Sequence, residues 1–152
     1  MSNIFKTTWR DFLRPIWQRP TRVQVAALCY KQSDAGKQVL LITSRDTKRW
    51  ILPKGWPIDG KDGPGSALQE AWEEAGVEQA EIDPVSIGSF EYQKGLGHGM
   101  QSQVRTQVYQ ACVTKMVDKF PESHERKRKW VTPKEAANMV NEPQLAAILA
   151  AF

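Results

Sequence analysis

The stretch LPKGWPIDGKDGPGSALQEAWEEAGV, residues 52–77, decides the fold and the chemistry of this chain. Its first half is rich in glycine and proline and predicts a loop from Lys54 to Gly65. Its second half predicts a helix from about Pro64 to Ala75, because proline suits a first helical turn and Gly76 suits a left-handed helix end. The sequence therefore places a long loop directly before a helix with defined ends.

Acidic side chains collect on one side of this predicted helix. At about 100° per residue, Glu70, Glu73 and Glu74 fall within one turn of each other. They lie in the second half of the helix, where mutual repulsion and the helix dipole both disfavour them. No lysine or arginine between residues 64 and 77 offsets their charge. The opposite side is predicted to be the core face of the helix, made of Ala67, Leu68, Ala71, Trp72 and Ala75.

Two interpretations of the acidic side follow from the helix alone. It is either a solvated acidic surface or a site that binds a divalent cation. Mg²⁺ and Mn²⁺ suit oxygen-only ligands and bridge naturally to phosphate oxygens, so the second interpretation points to phosphate chemistry. The spacing of the surrounding residues favours the second interpretation.

That spacing, over residues 55–77, resembles the Nudix box, written G-x5-E-x7-R-E-U-x-E-E-x-G-U, in which U is an apolar residue. The positions that agree with the pattern are Gly55, Glu70, Ala71, Glu73, Glu74, Gly76 and Val77. The resemblance implies an α/β fold, in which a mixed β-sheet is sandwiched between helices and carries the loop–helix motif. It also implies a metal-dependent hydrolase that cuts a phosphate–phosphate linkage.

Two residues depart from the pattern. Lys61 stands where the pattern has its first glutamate, and Gln69 stands where it has arginine. In the family that arginine helps orient the glutamate that follows it, and the early glutamate braces the loop. Gln69 can still hydrogen-bond a carboxylate, but a bond without charge assistance is roughly half as strong. The departures leave open a protein that binds and senses a phosphorylated metabolite without hydrolysing it.

The resemblance also implies roles for single residues. Glu70, Glu73 and Glu74 match the metal-binding glutamates, and the carbonyl of Gly55 matches a further ligand. The implied cofactor is Mg²⁺ or Mn²⁺, which activates a water for attack on phosphorus. Glu70 and Glu74 are the candidates for the catalytic base. Further carboxylates outside the box, each otherwise a surface residue, are Glu91, Glu122 and Glu125.

Basic residues flank the box on both sides and indicate an anionic substrate. The formal net charge of +4 agrees with an anionic partner. The candidates for substrate binding are Ser44, Arg45, Arg49, Lys54, Lys61, Arg126 and Arg128. Arginine forks and lysine charges are the groups with which proteins hold several phosphates at once. The run from Arg126 to Lys129 is also compatible with a solvated charged surface.

The flanking segments narrow the substrate class. Residues 43–45, 48–53 and 126–131 resemble segments of diphosphoinositol polyphosphate phosphohydrolases. The turn at residues 53–55 is also found in dinucleoside polyphosphate hydrolases. Both substrates present rows of phosphates, so charge does not separate them. Trp56 could stack on a nucleobase or simply pack.

An enzyme that removes pyrophosphate from the 5′ end of RNA is a further alternative. Such an enzyme needs a basic path for the strand, with aromatic side chains that stack on bases. Arg126 to Lys129 could begin such a path, but no aromatic residues are interleaved with it. Nucleic acid is therefore not the favoured partner, and we expect a small anionic phosphorylated substrate.

The 152-residue length predicts one Nudix hydrolase domain, at residues 21–152, after an N-terminal arm at residues 1–20. The arm is interpreted as packing on its own domain or on a second subunit of a homodimer, with membrane-surface contact and disorder as alternatives. No apolar run approaches the roughly 20 residues of a membrane span. Cys29 and Cys112 are predicted to be small buried residues of a reducing compartment, which indicates a cytoplasmic protein.

The rest of the chain alternates between strand and helix patterns. Strands are predicted at residues 23–30, 38–43, 50–52, 85–93, 103–117 and 129–131, the fourth and fifth forming a long hairpin. Two helices are predicted near residues 133–140 and 143–151, each opened by a proline.

Overall fold

The structure is a computed structural model that describes residues 22–97 and 99–152, which contain eight strands and three helices. In chain order these elements are β1 (Arg22–Ser33), β2 (Gly36–Thr43), β3 (Trp50–Ile51), β4 (Lys54–Gly55), α1 (Gly63–Ala75), β5 (Val77–Ile82), β6 (Gly88–Gly97), β7 (Met100–Met116), β8 (Arg128–Val131), α2 (Pro133–Met139) and α3 (Pro143–Ala151). The predicted N-terminal arm, residues 1–20, lies outside the described residues.

The strands form one mixed sheet. Its main path runs β3-β2-β1-β7-β5, with β4 paired to β1, β6 to β7 and β8 to β2. β1 and β7 are parallel, from Arg22 opposite Val104 to Tyr30 opposite Cys112, whereas the other pairings are antiparallel. The long strand β7 pairs with β6 along its first half and with β5 along its second half.

The sheet is buried on both faces, as the alternation of β1 shows. Val25, Ala27 and Cys29 lie in a core cluster with Ala67, Ala71 and Ala75 of α1. Ala26 and Leu28 lie in a second cluster with residues of α2 and α3, among them Leu145 and Leu149. Because successive strand residues point to opposite faces, one strand serves both cores. The predicted sheet sandwiched between helices is confirmed.

The core face of α1 differs from the prediction. Leu68 and Trp72 are half-buried, whereas Ser66 and Glu74 are buried with Ala67, Ala71 and Ala75. The side chains of residues 67, 71 and 75 are small, and Glu74 lies beside them on the arc that faces the protein. The helical period is compatible with Glu74 on this buried arc. The prediction left it out because a carboxylate is expected in a core only when it has polar partners, and the sequence does not show those partners.

The strand prediction is confirmed for β1, β2, β3, β7 and β8 and is incomplete elsewhere. β5 is absent from the prediction because it is an edge strand with exposed Glu78 and Gln79 and an irregular register against β7. β6 begins at Gly88 instead of Val85, which is 70% exposed. Both errors fall where the apolar alternation is weakest.

Cys29 is buried beneath α1, as predicted, and Cys112 is half-buried on β7. Burial raises the pKa of the Cys29 thiol to about 12, so the thiol stays protonated and behaves as a small apolar side chain. Among the described residues, no helix combines the length and apolar character needed to cross a membrane.

Candidate active site

A cavity of about 400 Å³ opens between the sheet and the second half of α1. Its walls come from the loop between β2 and β3, from β4, from the second half of α1, from β6 and from the loop before β8. Predicted site residues that line it are Ser44, Arg45, Arg49, Lys54, Gly55, Glu70, Glu74 and Arg126. The fold therefore gathers most of the predicted site around one opening.

The loop before α1 is fixed to the helix by short-range hydrogen bonds. Asp62 caps the helix, its side chain accepting from the backbone N–H of Gly65 at 2.7 Å. The hydroxyl of Ser66 accepts from the backbone N–H of Ile58 at 3.0 Å and ties the loop to the first turn. Gly76 ends the helix with φ of 72°, in the left-handed region. The predicted helix is confirmed to within one residue at its start. The predicted loop is shorter than expected, because Lys54 and Gly55 pair with β1 as β4 and the helix begins at Gly63.

Gly55 and Glu70 are packed directly against each other. A Cβ atom at position 55 would overlap the carboxyl group of Glu70. Residues 54 and 55 also form the short strand β4, whose partner is β1, so the backbone at this point cannot retreat easily. Glycine at position 55 is therefore the condition for the carboxyl group of Glu70 to lie against the loop.

Glu74 is a buried carboxyl group with polar partners on both oxygens. Its Oε2 accepts a hydrogen bond from the backbone N–H of Lys54 at 3.3 Å, and its Oε1 is 3.1 Å from Nη2 of Arg126. Burial raises the pKa of Glu74 to about 8, although Arg126 and Lys54 act in the opposite direction. Burial also raises the pKa of Glu70, and the negative charge of Glu73 raises it further. For both carboxyl groups, burial is the main cause of the raised pKa.

Arg126 is a buried cation in direct contact with Glu74. Its side chain is 7% exposed, and Nη2 contacts Glu122 Oε1 at 3.0 Å as well as Glu74. Its Nη1 donates to the backbone carbonyl of Thr43 at 3.0 Å. Arg126 therefore joins the end of β2, the loop before β8 and helix α1. Glu122, which the sequence offered as one of three outside carboxylates, lines the cavity through this contact.

The arginines at the rim of the cavity contact hydroxyl and carboxylate groups. Arg49 donates from Nε to the hydroxyl of Thr47 at 3.1 Å, and its Nη1 lies 3.5 Å from Glu142. Arg45 is 59% exposed and lies 3.5 Å from Glu122. The Ser44 hydroxyl accepts from the backbone N–H of Arg49 at 3.1 Å. These cations stand in the opening, where an anionic ligand can reach them.

Two aromatic residues complete the rim: Tyr92, which the sequence did not assign, and Trp56, which it offered for stacking or packing. Tyr92 donates from its hydroxyl to Oε1 of Gln24 at 2.6 Å, and its ring lies 5.0 Å from Nζ of Lys54. Burial lowers the pKa of the Lys54 amine, with the carboxylates acting against that shift. Nζ of Lys94 lies 5.0 Å from the ring centroid of Trp56, so Lys94 adds a cation to the cavity wall. No local pattern marks Gln24 or Lys94, because strand pairing alone brings them here.

Residues 22–152 match the NUDIX domain. The chain belongs to the NUDIX domain family. The match covers every element described above, and it confirms the fold and the hydrolase family that the loop–helix spacing predicts.

The chain is also similar to curated Nudix proteins. It is 29% identical over 119 residues to diphosphoinositol polyphosphate phosphohydrolase 3-beta from Bos taurus, covering 77% of this chain and 68% of the relative. The identity and coverage are the same for the 3-alpha protein from Homo sapiens.

Solved structures show the same fold at lower identity. A binary complex of the C. elegans Ap4A hydrolase aligns with a TM-score of 0.66 and 22% identity, covering 86% of this chain and 93% of that chain. The NUDIX domain of Shewanella oneidensis NrtR, complexed with ADP ribose, aligns with a TM-score of 0.64 and 15% identity, covering 88% of each chain.

The Nudix glutamates are not all brought to the cavity. Glu73 lies outside the lining, and its Oε1 accepts from the side-chain amide of Gln69 at 3.0 Å. Across residues 22–97 and 99–152, no group of three or more acidic, histidine or cysteine side chains forms a metal site. Glu73 therefore lies apart from Glu70 and Glu74 in this structure, and the assignment of all three box glutamates as metal ligands stays a prediction.

A site with fewer carboxylates still fits Mg²⁺ or Mn²⁺. Mg²⁺ keeps several of its waters and needs only one or two carboxylates from the protein. Glu70 and Glu74 both line the cavity, and the missing Cβ of Gly55 leaves the Glu70 carboxyl group room beside the backbone. The raised pKa values of both glutamates also identify them as carboxyl groups that a cation would stabilise in the ionised form.

Two predicted substrate-binding residues lie away from the cavity. Lys61 is exposed in the loop before α1 and does not reach the lining. Arg128 donates from Nη1 to the backbone carbonyls of Ala75 at 3.1 Å and Val117 at 2.9 Å. Its Nη2 binds Asp118 at 2.8 Å. Arg126 and Arg128 come from one basic run, but Arg126 lies in the loop before β8, whereas Arg128 is the first residue of the strand and contacts the end of α1.

Proposed function

We propose that this Nudix protein hydrolyses a phosphoanhydride bond in a small polyphosphorylated substrate, most favourably a diphosphoinositol polyphosphate or a dinucleoside polyphosphate. The observation that carries the proposal is the pair of glutamates, Glu70 and Glu74, inside a cavity with a basic rim. The names of the similar proteins, diphosphoinositol polyphosphate phosphohydrolase and Ap4A hydrolase, support the same two substrate classes.

The proposed roles divide between the inner and outer parts of the cavity. Glu70, Glu74 and the backbone carbonyl of Gly55 would hold Mg²⁺ or Mn²⁺, and the ion would activate a water and neutralise charge on the leaving phosphate oxygen. Glu70 and Glu74 are also the proposed proton acceptors. Burial raises the pKa of Glu74, which is the direction that makes a carboxylate a stronger proton acceptor.

The outer part of the cavity is proposed to hold the phosphates that do not react. Arg45, Arg49 and Lys54 line it, together with Lys94. The carboxylate partners of Arg45 and Arg49 are 3.5 Å or more away, so these guanidinium groups can exchange weak ion pairs for phosphate oxygens. The hydroxyl of Ser44 stabilises the loop between β2 and β3 by accepting from the backbone N–H of Arg49. Lys61 and Arg128 have no part in this proposal.

The test is phosphate release from a substrate panel, measured with Mg²⁺ or Mn²⁺ and again with excess chelator. The panel contains inositol pyrophosphates, dinucleoside polyphosphates, nucleoside triphosphates and 5′-triphosphate RNA. Turnover of the first two classes that disappears with chelator is the expected result. Glu74→Gln is the matched control, because it keeps the shape of the side chain while removing its charge.

Two other outcomes would assign a different function to this chain. Turnover of the RNA alone would replace the proposal with a 5′-pyrophosphohydrolase. Binding of inositol hexakisphosphate or a dinucleoside polyphosphate without any metal-dependent turnover would replace it with a sensor, and Gln69 would then mark the loss of catalysis.

A further inference from the structure

The arginine of the Nudix pattern is absent from its usual place, where this chain has Gln69. The side-chain amide of Gln69 donates to Glu73, one turn further along the helix, at 3.0 Å. Glu73 lies outside the cavity lining. The residue at position 69 thus orients a carboxyl group that does not face the site, and the two glutamates that do face it need another support.

A guanidinium group reaches the site from a distant part of the chain. Arg126, in the loop before β8, places Nη2 3.1 Å from Oε1 of Glu74. The other oxygen of Glu74 accepts the backbone N–H of Lys54 at 3.3 Å. With one oxygen on Arg126 and the other on Lys54, the plane of the Glu74 carboxyl group is defined.

Arg126 is itself held in place on several sides. Its Nε and Nη2 donate to Oε1 of Glu122 at 3.3 and 3.0 Å, and Nη1 donates to the carbonyl of Thr43 at 3.0 Å. The backbone of the next residue, Lys127, exchanges hydrogen bonds with Thr43 at the end of β2. The 7% exposure of the Arg126 side chain leaves little freedom for another arrangement.

We propose that Arg126 is a positioning residue for Glu74, a guanidinium group supplied from outside the box in a chain whose position 69 carries none. This inference rests on the proposed function only in assigning Glu74 to the reaction. It also changes the role of Arg126, which the sequence assigns to substrate binding. A lysine cannot replace it, because an ammonium group lacks the planar fork that reaches Glu74, Glu122 and Thr43 together.

The test variant is Arg126→Lys, which keeps the positive charge and removes only the fork. We expect kcat to fall about 10–100-fold with KM changed less than about twofold, as for other residues that hydrogen-bond a metal ligand without contacting the substrate. Mn²⁺ binding to the metal-free protein, measured by electron paramagnetic resonance, should weaken by a similar factor. Because the charge is kept, weaker Mn²⁺ binding reports geometry and not a loss of electrostatic attraction.

Arg45→Lys is the contrasting variant, because Arg45 lines the same cavity and is exposed without a contact to Glu74. It should raise KM and leave Mn²⁺ binding unchanged. Should Arg126→Lys show that same behaviour, Arg126 is a substrate ligand and the inference is overturned.

Thermal unfolding with chelator shows whether Arg126→Lys is folded. If it is not, Glu122→Gln loosens the anchor of Arg126 and should produce a smaller fall of kcat with KM kept. An unchanged kcat in that variant would also overturn the inference. If no substrate is turned over by the parent protein, the proposed function fails, while Mn²⁺ binding still tests the positioning of Glu74.

Discussion

Lys54 and Glu74 are twenty residues apart in the sequence, and the backbone N–H of Lys54 donates to Oε2 of Glu74 at 3.3 Å. This contact closes the loop–helix segment on itself, because Lys54 begins β4 and Glu74 lies near the end of α1. The backbone atom is fixed by the pairing of β4 with β1. Glu74 is therefore oriented by the sheet as well as by its own helix, and its geometry should be sensitive to both.

The contact predicts unequal effects for neighbouring glutamates. Glu74→Gln should lower kcat about 10²–10⁴-fold, because it removes a charged ligand and a proton acceptor. Glu73→Gln should change kcat less than about tenfold, since Glu73 faces Gln69 outside the cavity. Initial rates with saturating Mg²⁺ check both variants. A larger loss for Glu73→Gln would show that the ion is held by the helix side that faces away from this cavity.

The packing of Gly55 against Glu70 predicts a coupled pair of substitutions. Gly55→Ala should destabilise the metal-free protein by about 1–3 kcal/mol, because the new methyl group overlaps the Glu70 carboxyl group. Adding Glu70→Ala should restore most of that stability without restoring activity. Denaturant unfolding of the single and double variants gives the coupling energy. Strictly additive effects would mean that the methyl group disturbs the backbone of β4 instead.

The buried carboxyl group of Glu74 predicts a pH dependence of stability. Burial raises its pKa from 4.5 to about 8, so the folded protein holds a proton that the unfolded chain releases. This contribution to stability is fully present below the unfolded pKa and is lost as the pH rises through about 8. The slope is at most about 1.4 kcal/mol per pH unit.

Denaturant unfolding with chelator, at several pH values between about 5 and 8, checks this slope. In Glu74→Gln the slope should be smaller, because the amide does not titrate. If parent and variant give parallel curves, Glu74 is ionised in the folded protein, and its pair with Arg126 outweighs burial.

The sequence predicts the loop–helix segment well because its constraints are local. A proline at the start, Gly76 at the end and the spacing of the glutamates all lie within residues 52–77. The sandwiched sheet follows from the family resemblance and from strands that are apolar on both faces. The parallel pairing of β1 with β7 joins residues far apart in the chain, and no local pattern specifies it.

The direction of side chains in the basic runs is the part that the sequence does not determine. Arg126 and Arg128 are both arginines two positions apart, and charge alone assigns both to the substrate. In the structure the first is buried against Glu74, and the second lies at the end of α1. Their roles depend on which carboxylates and carbonyls the fold brings near, which is long-range information.

Arg128 is therefore predicted to matter for stability and not for substrate binding. Its guanidinium group satisfies the carbonyls of Ala75 and Val117 and lies 4.9 Å from the ring centroid of Phe120. Arg128→Ala should lower the free energy of unfolding by about 1–3 kcal/mol, since charged hydrogen bonds to buried carbonyls are lost. KM should change less than about twofold. Lys129→Ala, an exposed neighbour, is the matched control and should change neither quantity. A several-fold rise of KM in Arg128→Ala, with stability unchanged, would return this residue to the phosphate-binding set.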